Sequence, residues 1–251
     1  MFLNIAHRGD SVNAPENTLP AFELAIEAGA TAVEMDLRCT ADGHVVVLHD
    51  KSIDRTTDGI GTLADLSLEQ VRRLDAGAWF DERFAGETVP TLEEVFDRLV
   101  DRVPLVLHVK DVGCGIEEVV ARETHRRDAV DRVTVSSDHR EVLAVMQRLA
   151  PEVATTWIAW FRDWRWWMWY VAGKVRRLGA HRVAPPAKQV TGAMVEYFHG
   201  QGIAVRAWGV GHDESLAGRL ISLGVDGMTF DDPRRLAELL TTAAPTNRDT
   251  A

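Results

Sequence analysis

Short apolar runs recur along the chain, each separated from the next by a stretch whose apolar residues return every three or four positions. The runs are Phe2–Ala6, Ala32–Leu37, Val45–Leu48, Leu105–Val109, Val133–Ser136, Val153–Trp157, His181–Ala184 and Val205–Trp208, with Met228–Phe230 a ninth candidate. Their length and apolar character predict buried strands. Helical periodicity covers Leu19–Ala28, Leu92–Val100, Ile116–Arg126, Glu141–Leu149, Ala193–His199 and Glu214–Leu223. Strands and helices alternating in this way predict parallel pairing. The fold expected is an α/β TIM (β/α)8 barrel of ordinary length, with one of the nine strands left over. No linker or shift in composition divides residues 1–251, so a single domain is expected.

Three segments break the alternation. Residues 51–90, directly after His49-Asp50, are rich in Gly, Asp and Thr, with a helical stretch only near Ser67–Leu74. An excursion of that length inside a compact domain is usually functional or disordered, and this one follows a His-Asp pair directly. Residues 157–170 hold six of the eight tryptophans. At 100° per residue Trp157, Trp160, Trp164, Trp167 and Val171 share one face, as a buried helix stripe would. Trp166 and Trp169 fall opposite, among Arg162, Arg165 and Arg176, a mixture that suits a membrane interface, a lipid chain or a partner protein. The polar tail, residues 241–251, is expected to be disordered.

The candidate chemistry lies at strand ends, where barrel enzymes place catalysis. The first run ends in His7-Arg8-Gly9 and the third in His49-Asp50. The second carries Glu34 and Asp36, and the fourth His108 and Lys110. Residues two apart share one side of a strand, and because Val33, Met35 and Leu37 take the other side, both carboxylates should face the barrel interior. Ionisable groups are costly to bury unless they are paired or bind metal. Adjacent carboxylates suit a hard cation such as Mg²⁺ or Ca²⁺, arginine and lysine suit phosphate oxygens, and two histidines suit acid–base work.

These residues sit in motifs that carry a family resemblance. His7-Arg8-Gly9, Pro15-Glu16-Asn17-Thr18, Glu34-x-Asp36, Thr40-x-Asp42-Gly43 and His49-Asp50 resemble the successive N-terminal motifs of glycerophosphodiester phosphodiesterases. The resemblance continues through Asp54-Arg55-Thr56-Thr57-x-Gly59-x-Gly61, Leu74-Asp75-Ala76-Gly77 and Val89-Pro90-Thr91-Leu92-Glu93-Glu94. It returns at Trp208 and at Gly224-Val225-Asp226-Gly227…Asp231-Asp232-Pro233. It implies His7 and His49 as the acid–base pair, Arg8 and Lys110 as phosphate contacts, and Glu34 and Asp36 as metal ligands. Glu16 and Asn17 would support the metal region, Trp208 would wall the pocket, and residues 51–90 would form a small insertion at the barrel mouth that helps choose the substrate. The activity implied is metal-dependent cleavage of a glycerophosphodiester to sn-glycerol 3-phosphate and an alcohol, with His7 taking the nucleophile's proton, His49 protonating the leaving oxygen, and the two roles exchangeable.

One departure bears on the metal. Such proteins usually carry glutamate two residues before the strand-four lysine, and His108 stands there. As a third ligand, His108 would remove one negative charge and add Mn²⁺ and Zn²⁺ to Mg²⁺ and Ca²⁺ as candidates; alternatively the site keeps only Glu34 and Asp36 and binds its ion weakly. A second departure, Gly211 where asparagine is frequent, touches substrate contacts alone.

Composition narrows the partners. A net charge of −10 disfavours nucleic acid, and the small-molecule phosphodiester that the resemblance implies, lipid-like if the tryptophans line the pocket, would need local positive charge from a metal or a few placed cations. Cys39 and Cys114 form no disulfide framework, and a reduced, cytoplasmic protein is expected. The strand at residue 2 leaves no room for a leader, and no stretch is long and apolar enough to span a bilayer, so only peripheral membrane contact through 157–170 is expected. Two readings compete with glycerophosphodiester hydrolysis. One is a lysophospholipase D or sphingomyelinase-D-like enzyme acting on a bulkier lipid, and the other is a non-catalytic phosphoester- or lipid-binding protein.

Overall fold

A computed structural model describes residues 2–160 and 164–243 of the chain. The strands are β1 (Leu3–His7), β2 (Ala32–Cys39), β3 (Val45–Val47), β4 (Leu105–Val109), β5 (Val133–Ser137), β6 (Ala154–Ile158), β7 (Arg182–Ala184), β8 (Ala204–Ala207) and β9 (Gly227–Phe230). The helices are α1 (Leu19–Glu27), α2 (Leu68–Val71), α3 (Leu92–Leu99), α4 (Ile116–Arg126), α5 (Arg140–Leu149), α6 (Trp164–Arg177), α7 (Gly192–His199), α8 (Glu214–Ser222) and α9 (Pro233–Ala243).

Eight of the strands run parallel in the order β1-β2-β4-β5-β6-β7-β8-β9 and close through β9–β1 pairing, making the expected TIM barrel. The strand left over is β3, which pairs antiparallel with the end of β2 outside the barrel. His49 therefore follows an accessory hairpin strand rather than a barrel strand. The period-two reading of β2 holds: Val33, Met35 and Leu37 pack with α3 residues Val95, Phe96 and Leu99 in the larger outer core. Inside, Leu3, Ile5, Ala32 and Val106 form a small apolar cluster one or two pleats before the polar residues of the same strands.

Residues 51–90 fold as a small annex on β3, with Ile53, Leu63, Val71 and Val89 packed against Val46 and Leu48. Its helix α2 is held by a capping box between Ser67 and Gln70.

Three expectations need correction. Trp157 lies in β6 and Trp160 precedes α6, so they do not join a helix stripe. The buried face of α6 is Met168, Val171, Ala172 and Val175, while the side chains of Trp164, Arg165 and Trp166, and all of Arg162, lie outside the described residues. Residues 241–243 complete α9 rather than belonging to a disordered tail, and 244–251 lie outside the described residues. Cys39 and Cys114 are joined as a disulfide rather than reduced, because β2 and β4 are neighbours and their C-terminal ends meet. No helix among the described residues is long and apolar enough to cross a membrane.

Candidate active site

Strand register assembles the site. Parallel pairing sets His7 level with Glu34, Asp36 level with His108, and His108 level with Ser136. Side chains that alternate along each strand then meet in one layer at the C-terminal mouth of the barrel. His7, Glu34, Asp36 and His108 line a cleft of about 360 Å³ together with Arg8, His49, Lys110, Asp138, Trp160, Arg206 and Trp208.

Arg8 turns the chain out of β1 with φ of 60°, and Gly9 follows with φ of 86°. A Cβ at Gly9 would lie 2.6 Å from the backbone of Ala21 in α1, so only glycine fits there. The sharp exit brings Arg8 back over the carboxylates: its Nε lies 3.2 Å from Asp36 Oδ2, and its Nη1 donates to Glu16 Oε1 at 2.9 Å. Asn17, also at φ of 60°, donates from Nδ2 to Asp36 Oδ2 and accepts from the Asp36 amide. Glu16 is gripped further by Arg55 of the annex, which also reaches Asp50. The annex is thus tied to the barrel through charged groups of the site, with Asn17 bonded directly to Asp36 and Glu16 reaching it only through Arg8.

Both histidines are oriented the same way. His7 Nδ1 donates to Asp231 Oδ1 at 2.7 Å, and His49 Nδ1 donates to Asp50 Oδ1 at 2.6 Å. With Nδ1 fixed as the donor, Nε2 of each ring is left for chemistry. Lys110 Nζ donates to His49 Nε2 at 3.2 Å and stands 3.5 Å from Asp36 Oδ1. Burial, then Arg8 and Lys110, hold His49 below the ordinary imidazole value despite the opposing charge of Asp36.

Glu34, Asp36 and His108 each present a ligand atom within 4.8 Å of the others. His108 Nδ1 is 3.2 Å from Asp36 Oδ1 and 3.6 Å from Glu34 Oε1, while its buried Nε2 has no hydrogen bond and lies 3.9 Å from Asp138. Burial opposes charge on this imidazole, but Asp138, Asp36 and Glu34 outweigh it and push it up to about 9. Burial also presses Asp36 upward, yet His108, Arg8 and Lys110 hold it well below the carboxylate range. Two ionised oxygens beside a nitrogen that can release its proton form a donor set that fits a divalent cation.

Every residue singled out in the sequence reaches this cleft or its immediate support. Four that were not assigned a role also do. Asp231 and Asp50 orient the histidines. Asp138 backs His108. Arg206 of β8 lines the cleft, fully buried, with Nη2 donating to Ser136 Oγ at 3.2 Å and Nε unpartnered. Burial lowers its guanidinium to about 10, which leaves it charged at neutral pH. Asp50 and Asp231 stood inside recognised motifs, whereas nothing in the local sequence marks Asp138 or Arg206.

A parallel barrel that gathers paired carboxylates, an imidazole and two carboxylate-oriented histidines at its C-terminal mouth is that of a TIM-barrel enzyme, with its polar cluster where such enzymes place their active sites. The family model described as the glycerophosphoryl diester phosphodiesterase family matches residues 7–235. A glycerophosphodiester phosphodiesterase of Caldanaerobacter subterraneus subsp. tengcongensis is 38% identical over 242 residues, covering 95% of this chain and 97% of its own. Among solved structures, an Oleispira antarctica phosphodiesterase in complex with the product sn-glycerol-3-phosphate is 28% identical, with a TM-score of 0.83 over 94% of this chain and 96% of its own. A glycerophosphodiester phosphodiesterase from Agrobacterium tumefaciens is also 28% identical, with a TM-score of 0.81 over 95% and 100%. The chain belongs to the glycerophosphoryl diester phosphodiesterase family, and with it to the phosphoric diester hydrolases.

Proposed function

We propose that the protein hydrolyses glycerophosphodiesters to sn-glycerol 3-phosphate and an alcohol, with His49 and His7 as its acid–base pair. The observation that carries this reading is the matched orientation of the two rings, each held at Nδ1 by a carboxylate in the cleft that also contains Glu34, Asp36 and His108. Arg8 and Lys110 line the same cleft and supply cations for the non-bridging phosphate oxygens. His49, held below the ordinary imidazole value, accepts the proton of the nucleophile, either water or the neighbouring hydroxyl of the substrate, the second route giving a cyclic phosphate that water then opens to glycerol 3-phosphate. His7, steadied by Asp231, protonates the leaving alkoxide. This exchanges the two roles first implied by the resemblance, because the depressed value of His49 suits a base. Glu34, Asp36 and His108 would hold a divalent cation, which neutralises charge building on the phosphoryl oxygens. Mg²⁺ and Ca²⁺ suit the carboxylates, and His108 brings Mn²⁺ and Zn²⁺ within range.

A bulkier lysolipid is the second reading, favoured by Trp160 packed edge-to-face on Trp208 at 4.6 Å along the cleft. Release of glycerol 3-phosphate from glycerophosphocholine tests the first. Metal-stripped protein should be inactive and regain turnover with one of Mg²⁺, Ca²⁺, Mn²⁺ or Zn²⁺, and His7→Ala and His49→Ala should each lose roughly 10²–10⁴-fold in rate. The acid limb of kcat/KM against pH should lie below the ordinary imidazole value of about 6.5. Turnover that survives metal removal or both substitutions would sink the mechanism, and turnover on micellar lysolipid alone would transfer the assignment to the second reading.

A further inference from the structure

Helix α6 is unlike the rest of the chain in charge. The protein has 38 acidic against 28 basic residues, yet α6 carries four basic residues and no carboxylate in its 14 positions. One face, Met168, Val171, Ala172 and Val175, is buried in the core. The opposite face leaves large rings in water: Trp169 is 73% exposed and Tyr170 39%. Between the rings and the cations lies a shallow groove of about 240 Å³, lined by Trp169, Tyr170, Gly173, Lys174, Arg176 and Arg177. A Cβ at Gly173 would meet nothing within 4 Å, so the floor of the groove is open.

The cations on this face have no carboxylate to answer them among the described residues. Arg176 donates to the uncharged Gln201 side chain, Lys174 lies 5.5 Å over the Tyr170 ring, and Arg177 makes no ion pair. Aromatic rings that stay exposed beside unpaired cations match the interfacial layer of an anionic bilayer, where rings sit at headgroup level and cations meet phosphates. The face is also joined to the active-site cleft. Trp167 Nε1 donates to the Trp160 carbonyl at 2.7 Å, and Trp160, 60% exposed, packs on Trp208 within the cleft.

We infer that the exposed face of α6, from Trp169 to Arg177, is a docking surface for membranes bearing anionic phospholipid headgroups. This keeps the end of the stretch 157–170 that composition suggested and extends the contact to Arg177 at the end of the helix. It places the enzyme where lipid-derived phosphodiesters are released, and so rests in part on the activity proposed above. The surface itself shares no residue with the catalytic cleft.

Vesicle co-sedimentation of the full chain tests it. The protein should pellet with vesicles mixing phosphatidylcholine and phosphatidylglycerol and stay in the supernatant with phosphatidylcholine alone, and added salt should reverse the binding. The Lys174→Gln/Arg177→Gln variant should partition about 30-fold more weakly, and Trp169→Ser should also lose binding. Both variants should retain the parent's far-ultraviolet circular dichroism and its turnover of glycerophosphocholine in vesicle-free solution. Equal binding to neutral and anionic vesicles, no binding to either, or variants that bind like the parent would overturn the inference. Anionic vesicle binding by a protein inert towards glycerophosphocholine would support the surface while removing the proposed substrate.

Discussion

His108 places an imidazole where the family resemblance implies a carboxylate, and three carboxylates surround it. Its Nδ1 faces Glu34 and Asp36, and its Nε2 faces Asp138 from the loop after β5. A carboxylate behind a ligating histidine fixes the tautomer and raises the basicity of the ring, and so returns at one remove part of the lost negative charge. Asp138 is a positioning residue in this scheme. Asp138→Asn should weaken Mn²⁺ affinity by about 10–100-fold, as measured by calorimetric titration of metal-stripped protein. Unchanged affinity would leave Asp138 with no part in the metal site.

At the scale of elements, the outer helices are fixed by charge as well as by apolar packing. Glu123 of α4 is 4% exposed and accepts from Arg122, Arg126 and Arg127, while Arg127 also pairs with Asp97 of α3 and lies over the Phe96 ring. Burial opposes ionisation of Glu123, but the three arginines prevail and lower it to about 2. Glu123→Gln should cost about 2 kcal/mol through weakened charge-assisted hydrogen bonds, or roughly 6 °C in Tm. The sign with pH follows from the depressed value. The contribution is complete above the unfolded value of about 4.3 and fades as pH falls towards 2. Thermal melts at pH 7 and near pH 3 should show the gap between parent and variant narrowing, and a constant gap would place the loss in packing.

For the whole molecule, barrel closure brings together groups that are remote in the chain. The Cys39–Cys114 bond spans 75 residues of sequence and clips the end of β2 to the loop after β4. Loop-closure entropy sets its worth at up to about 4 kcal/mol. Under oxidising conditions Cys39→Ser/Cys114→Ser should melt roughly 10 °C below the parent, and reductant should abolish the difference. Identical melts in both conditions would show that the cross-link does not contribute. The same closure pairs β9 with β1 and thereby sets Asp231 against His7 across 224 residues.

The sequence alone determined whatever depends on local period and on motif order. The alternation of short apolar runs with helical stretches specified the barrel, and a period of two turned Glu34 and Asp36 inward while sending Val33, Met35 and Leu37 out to the helices. His7, Arg8, His49 and Lys110 were marked by their neighbours in sequence, and all four line the cleft. Tertiary structure decided whatever depends on which elements become neighbours. β3 was left outside because it is three residues long and pairs back on β2, although its apolar run resembles those of the barrel strands. Asp138 and Arg206 entered the site because the register of β5 and β8 aims them at it, and neither has a local signature. Cys39 and Cys114 carry no pairing information at that spacing until β2 and β4 lie side by side. The face of α6 depended on where the helix starts, and period alone cannot tell Trp157, in a strand, from Trp169, in a helix exposed to water. Alternation and motif spacing act over a few residues and are written in the sequence, whereas contact across the barrel is fixed only when the last strand pairs with the first.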